Sequence, residues 1–197
     1  MTSGFLRSFL RNQDGVAATE FALISPILVL LFLGVVELSN LLIADAKLRA
    51  VTSSVSDLVT QDVDGAISTS DISLMNEAAA QIMFPMPTAP LQLTIVDYQI
   101  DTSDSSVSVR WKRQLDPPAA PVEPATPACA DGTGLPSGLV ADTFNDVVRV
   151  DGTYAYTPIL LFFAGKWGVL NLSTTSFNMP RYSLTLVPDT GFSTSCP

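Results

Sequence analysis

Glu20 and Glu37 are the residues with chemical capacity that stand in the least expected company. They fall within Val16–Ala44, which reads VAATEFALISPILVLLFLGVVELSNLLIA, and the centre of that stretch, Phe21 to Val36, carries no charge. A carboxylate at the middle of a bilayer costs ~3 kcal/mol, so an acid in such a run has a partner, a function or an interfacial position. Glu20 lies at the N-terminal edge, where snorkelling to the headgroups is the simpler account. Glu37 lies near the other end beside Ser39 and Asn40, a setting that suits an interfacial acid. The functional account of Glu20 rests on spacing: it is the fifth residue after Gly15, and the aromatic Phe21 follows it.

Other chemistry is poorly served. The chain has no histidine, which removes the commonest general base, a common zinc ligand and any Ser-His-Asp triad. Asp and Ser are plentiful but do not converge on a nucleophile or metal pattern, so no enzyme activity, metal or cofactor is expected. The glycines at 132, 134 and 138 lack the Lys-Ser/Thr end of a phosphate loop. The net charge is −9, and no basic cluster offers to neutralise phosphates, so nucleic acid is not an expected partner. Cys129 and Cys196 match no metal or redox spacing. In an oxidising compartment they form a candidate disulfide, which would add roughly 4 kcal/mol on the chain-entropy model. Two buried thiols are the alternative.

The element that must position Glu20 is a membrane helix. As a helix, Phe21–Ala44 would be ~36 Å long, enough to cross a ~30 Å hydrocarbon core. The run is longer than the apolar core of a secretory signal, and no small-x-small cleavage site follows it cleanly, so an uncleaved anchor is expected. Arg7 and Arg11 precede it, which places the N-terminus in the cytoplasm, although Lys47 and Arg49 on the far side weaken the asymmetry. Of the 10 basic and 19 acidic residues, only Arg7, Arg11, Asp14, Glu20 and Glu37 precede Asp45, so the acidity belongs to what lies outside. Pro26 removes one backbone donor and should bend or loosen the helix, and Gly34 offers a small surface for close helix approach.

Gly15, the four residues Val16-Ala17-Ala18-Thr19, then Glu20 and Phe21 resemble the processing site of type IV pilins in the form used by the tight-adherence (Tad/Flp) pilus. Glu20-Phe21-Ala22-Leu23, Pro26, Gly34 and Glu37-Leu38 narrow the likeness to TadE-like minor pilins and pseudopilins. Asp57-Leu58-Val59-Thr60-Gln61, Met83-Phe84-Pro85, Tyr154-Ala155-Tyr156-Thr157-Pro158 and Met179-Pro180-Arg181 extend it more loosely. Phe21 replaces the Tyr of the major Flp pilin, and the long C-terminal region is unlike that small subunit.

The resemblance implies a prepilin peptidase that cuts between Gly15 and Val16, with Glu20 and Phe21 as substrate residues rather than catalysts. It also implies that Glu20, Pro26, Gly34 and Glu37 shape helix packing and register, with Glu20 neutralising a neighbouring subunit's new N-terminus. The implied partners are the bacterial inner membrane, other pilin subunits and the Tad assembly machinery, in a role in pilus assembly and surface adhesion. A membrane-anchored periplasmic binding or adaptor module without a filament role is the alternative.

The expected organisation is a cytoplasmic leader over 1–15, a transmembrane helix over 16–44 and a periplasmic domain over 45–197. The fold class is α+β, with a long N-terminal helix, a second helix and a mostly antiparallel sheet of about four strands. Leu48, Val51, Val55, Leu58 and Val59 predict that the first helix continues past the membrane as an apolar stripe. The spacing predicts a second helix over Asp71–Phe84, capped by Ser70 or Asp71 and stopped by Pro85 and Pro87. Alternation predicts a hairpin from Leu91–Ile95 and Val107–Trp111, a strand over Val147–Tyr156, and one or two strands within Ser173–Val187 with Pro180 at an edge or bulge. Residues 116–128 contain five prolines and read as an exposed loop. The segment Pro158–Gly168 reads as a short helix or loop packing into the core, or as an exposed apolar patch that touches lipid or another subunit.

Overall fold

The computed structural model describes residues 14–61, 66–100, 107–115, 135, 139, 146–158, 168–181 and 187–188. The leader, the proline-rich loop 116–128, the apolar segment 159–167, Cys129 and Cys196 lie outside the described residues.

Helix α1 runs unbroken over Asp14–Thr60 and contains Pro26. Proline cannot donate to the carbonyl four residues back, here that of Ala22. The Ser25 hydroxyl donates to that carbonyl instead, at 3.4 Å, the kind of local substitution that lets proline stay inside an apolar helix. The chain divides into two compact units, and the division falls within α1: one unit contains α1 up to Leu41, and the other begins at Leu42.

From Gly15 to Phe32, α1 is apolar on every side apart from Thr19, Glu20 and Ser25. Every residue from Gly15 to Phe32 except Ser25 is exposed, including Phe21, Leu30 and Phe32. Among the described residues α1 is the one helix long and apolar enough to cross a membrane. A soluble core helix would be mostly buried, whereas none of this apolar window is.

In the second unit α1 turns amphipathic. Ala44, Leu48, Val51, Val55 and Val59 are buried, together with Thr52, Ser56 and Thr60. The hydroxyls of Thr52 and Thr60 are satisfied by the carbonyls one turn back, of Leu48 at 2.8 Å and Ser56 at 3.0 Å. Leu58, expected in the buried stripe, is 40% exposed. At 100° per residue it falls beside the stripe that the i, i+4 series closes, and it lines a surface groove with Gln61, Asp71, Leu74, Met75 and Ala78.

A short strand β1 (Ala66–Ile67) leads to helix α2 (Thr69–Met83). Its cap is Ser68, not Ser70 or Asp71. Asp71 is instead the third helical residue and completes a capping box: its backbone N–H donates to Ser68 Oγ at 3.2 Å, and its carboxylate accepts the Ser68 backbone N–H at 2.9 Å. These bonds hold the Asp71 carboxyl below its ordinary range. Ser68→Ala is expected to lower stability by about 1 kcal/mol, read as a lower unfolding midpoint of the detergent-solubilised chain. The apolar positions Ile72, Met75, Ala79 and Met83 fall on one buried face of α2.

Four strands form an antiparallel sheet: β2 (Leu91–Ile100), β3 (Val107–Leu115), β4 (Asp146–Tyr156) and β5 (Leu170–Asn178), in the order β3-β2-β4-β5. Strand β6 (Val187–Pro188) pairs in parallel with β1. The expected hairpin is β2–β3, with a bulge where the register shifts between Asp97 and Tyr98. Strand β5 begins earlier than expected and ends before Pro180, so that proline follows the strand rather than interrupting it. The class is therefore α+β.

The sheet face that carries Leu93, Ile95, Val150 and Gly152 receives α1. A Cβ at Gly152 would overlap Thr52 Oγ1 and lie 3.2 Å from Leu48 Cδ1 and 3.3 Å from Leu93 Cδ2, so helix and strand meet closely there because the side chain is absent. On the opposite face Val96, Tyr98 and Val109 form a smaller cluster against Val107 and Leu135.

Candidate functional site

The residues singled out at the N-terminus all lie on the first turns of α1. Gly15 and Val16 are already helical, and both are exposed along with Glu20 and Phe21. The Thr19 hydroxyl donates to the Val16 carbonyl at 2.8 Å and strengthens this first turn. That turn opens at low cost at Gly15, since glycine is the residue that leaves a helix most readily after proline. A Cβ at Gly15 or at Gly34 would meet nothing within 4 Å, so both positions present open backbone to an approaching molecule. Glu37 is half-buried, and Ser39 bonds back to the Val35 carbonyl at 2.8 Å. Gly15, Glu20, Pro26, Gly34 and Glu37 are thus strung along one rod rather than gathered into a pocket. That arrangement suits recognition of a helix.

The more distant motifs have a different job: they fix the second half of α1 to the sheet. Lys47 donates from Nζ to the carbonyls of Ile82 and Phe84, both at 2.7 Å, and so caps the C-terminus of α2 at the Met83-Phe84-Pro85 motif. Tyr154 donates its hydroxyl to the Pro87 carbonyl at 3.2 Å, and the Ala155 N–H donates to Pro90 at 3.2 Å. The Tyr154–Pro158 motif therefore holds the same turn from the sheet side. At the far end of α1 the Arg181 N–H donates to the Thr60 carbonyl at 3.1 Å, while its guanidinium pairs with Asp57 at 2.5 Å. A cation at a helix C-terminus also answers the helix dipole. From the sequence Lys47 reads only as a flanking charge and Arg181 only as part of the Met179-Pro180-Arg181 likeness, and Gly152 is not singled out. A lone glycine inside an alternating strand was the one available signal.

A second polar group lies inside the domain. Asp97 and Asp146 are both fully buried on the α1-facing side of the sheet, and Arg110 donates to Asp146 at 2.8 Å. Asp97 is pushed well above the usual carboxylate range, first by loss of water, then by the neighbouring Asp146; Arg110 and the Trp111 ring only partly oppose this. Neither Asp97 oxygen closes a well-formed hydrogen bond. Among the described residues no group of three or more His, Cys, Asp or Glu side chains is placed to hold a metal ion.

Residues 15–56 match the family model described as TadE-like protein, which bears out the resemblance read from Gly15 to Leu38. No curated protein and no solved structure gives a significant match to the chain.

Proposed function

We propose that this chain, TadE-like through residues 15–56, is a minor pilin or pseudopilin of a tight-adherence pilus. The observation that carries the reading is a glycine and, five residues on, a glutamate at the head of a helix whose apolar surface is bare on every side. In this reading the leader lies in the cytoplasm, α1 spans the bacterial inner membrane, and the domain faces the periplasm. A prepilin peptidase removes the leader after Gly15. The new ammonium of Val16 then needs a counter-charge in a low-dielectric bundle, and Glu20 of a neighbouring subunit supplies it, setting register. Gly34 allows the neighbouring helix to approach. The subunit enters, primes or caps the filament and thereby supports surface adhesion.

The mature chain is expected to begin at Val16 when the membrane-purified protein is sequenced from its N-terminus. Gly15→Ala is expected to leave the leader attached. Glu20→Ala is expected to be processed yet to yield few pili, because a buried ammonium without its partner costs about 3–5 kcal/mol per contact. Normal processing and normal pilus number in both variants would overturn the reading.

The second reading, a tethered periplasmic adaptor, draws on the separate compact unit that begins at Leu42. Replacing the first 44 residues with an unrelated anchor separates the two: retained function favours tethering, and lost function favours the pilin.

A further inference from the structure

Asp97 lies within β2 at 0% exposure, and neither of its oxygens closes a well-formed hydrogen bond. The charged and titratable groups that face it all come from the sheet. Asp146 on β4 is its acidic neighbour, and Arg110 and Trp111 on β3 partly answer it. Arg113, two residues beyond Trp111 on β3, is also buried. The helices add none: the buried positions of α1 after Ala44, and those of α2, are apolar, Ser or Thr. Arg110 already donates to Asp146 at 2.8 Å, so a second negative charge at Asp97 would share that one guanidinium. The Arg110 side chain is 15% exposed where that of Asp146 is not exposed at all, so Arg110 marks the short way to water.

The sheet is weakest at the same place. Strand β4 is held on both edges, by β2 and β5, whereas among the described residues β3 is paired with β2 alone. The β2–β3 ladder runs evenly from Leu93 opposite Leu115 to Asp97 opposite Trp111. It then skips Arg110, and beyond the bulge only Tyr98–Val109, Gln99–Ser108 and Ile100–Val107 remain paired. A small cluster of Val96, Tyr98 and Val109, with Val107 and Leu135, holds this short end on the other face. The buried carboxyl therefore sits at the joint between a long even ladder and a short end that few groups retain.

We propose that Asp97 is a proton-operated latch for this end of β3. While Asp97 keeps its proton, Val107–Arg110 stays closed on β2. When the proton is lost, the segment swings out at the bulge and water reaches the carboxylate past Arg110. In the closed form burial, and then Asp146, holds the Asp97 carboxyl well above its ordinary range. In the open form it returns to about 3.9. Between those values opening releases a proton, so the open fraction grows by up to about tenfold per pH unit and levels off above the closed-form value. Acid thus keeps the strand end shut and alkali loosens it. The rest of the sheet stays folded, as in other local openings at the low-stability parts of a domain.

Hydrogen exchange of the full-length, detergent-solubilised chain tests this. Exchange is followed by mass spectrometry from mildly acidic to mildly alkaline pH and corrected for the intrinsic pH dependence of amides. Peptides covering Val107–Trp111 are expected to gain up to about tenfold per pH unit after that correction, and to respond little to low urea, which barely alters a local opening. Peptides covering Val147–Gly152 are expected to exchange more slowly and to speed up with urea, as global unfolding requires. In Asp97→Asn the β3 end should stay protected, with no corrected pH response. Three results would overturn the latch. One is a β3 end whose corrected exchange ignores pH. Another is β3 and β4 exchanging at one rate with one urea response, which means that the sheet opens only as a whole. The third is an Asp97→Asn chain that keeps the wild-type pH response. The first two are read on the unsubstituted chain, so they hold whatever the variant does.

Discussion

Gly152→Ala is expected to destabilise the domain by about 1–3 kcal/mol, although alanine is the better strand residue and adding a methyl to glycine usually restricts the unfolded chain in the protein's favour. The reason is position. The added Cβ would overlap Thr52 Oγ1, a short β-branched side chain already fixed by its bond to the Leu48 carbonyl, and would press on Leu48 and Leu93. None of these can swing clear as the tip of a lysine could. Valine at 152 should prevent α1 from docking at all. The cycle with Thr52→Ala makes the claim specific. Removing Oγ1 opens the worst contact, so the double variant should recover roughly 1 kcal/mol relative to the sum of the single changes. Chemical unfolding of the four proteins in one detergent measures this. Additive effects would mean that α1 does not cross β4 at Gly152.

The parts of this fold that follow from near neighbours in sequence were legible in advance. Alternation in Leu91–Ile95 and Val107–Trp111 announced the hairpin, and Leu48, Val51, Val55, Leu58 and Val59 at helical spacing announced the continuing helix, of which Leu58 alone is exposed. The register shift between Asp97 and Tyr98 was not announced. Val96, Asp97 and Tyr98 are buried in succession because each sheet face there has its own cover, and that breaks the alternation a one-sided sheet would show. The α2 cap was misplaced because Asp71 works from inside the helix as the reciprocal partner of Ser68, a place more often filled by Glu or Gln. The candidate site divides in the same way. The Gly15–Phe21 pattern is local and could be read directly. The clamps could not, because each joins residues far apart: the motif at Asp57 and the motif at Arg181 are separated by 124 positions and share one ion pair. Lys47 looked like a charge that blurred membrane orientation, whereas the fold uses it to cap α2.

Asp97→Asn is expected to raise the stability of the domain at neutral pH and to flatten its dependence on pH. In the folded protein the Asp97 carboxyl is held well above its ordinary range, chiefly by burial and secondarily by Asp146. In the unfolded chain it returns to about 3.9. Between those two values the folded state keeps a proton that the unfolded state has released, so stability is greatest at the acid end of this window and declines as pH rises through the folded value. Above it the penalty of a buried, poorly bonded carboxylate is constant. Asparagine has the same shape, carries no charge and is indifferent to pH, so it should add about 1–3 kcal/mol at neutral pH and little at the acid end. Below the ordinary carboxylate range the sign reverses, because Asp71 is held low by the Ser68 bonds and its contribution is lost on protonation in both proteins. The comparison variant is Asp146→Asn, which removes the partner of Arg110 while relieving the pressure on Asp97. It should lower stability even as it weakens the pH slope. Unfolding midpoints across mildly acidic to neutral pH decide the matter: a wild-type chain that grows more stable as pH rises through this range, or an Asp97→Asn chain with the wild-type slope, would mean that Asp97 is charged and solvated rather than buried beneath α1.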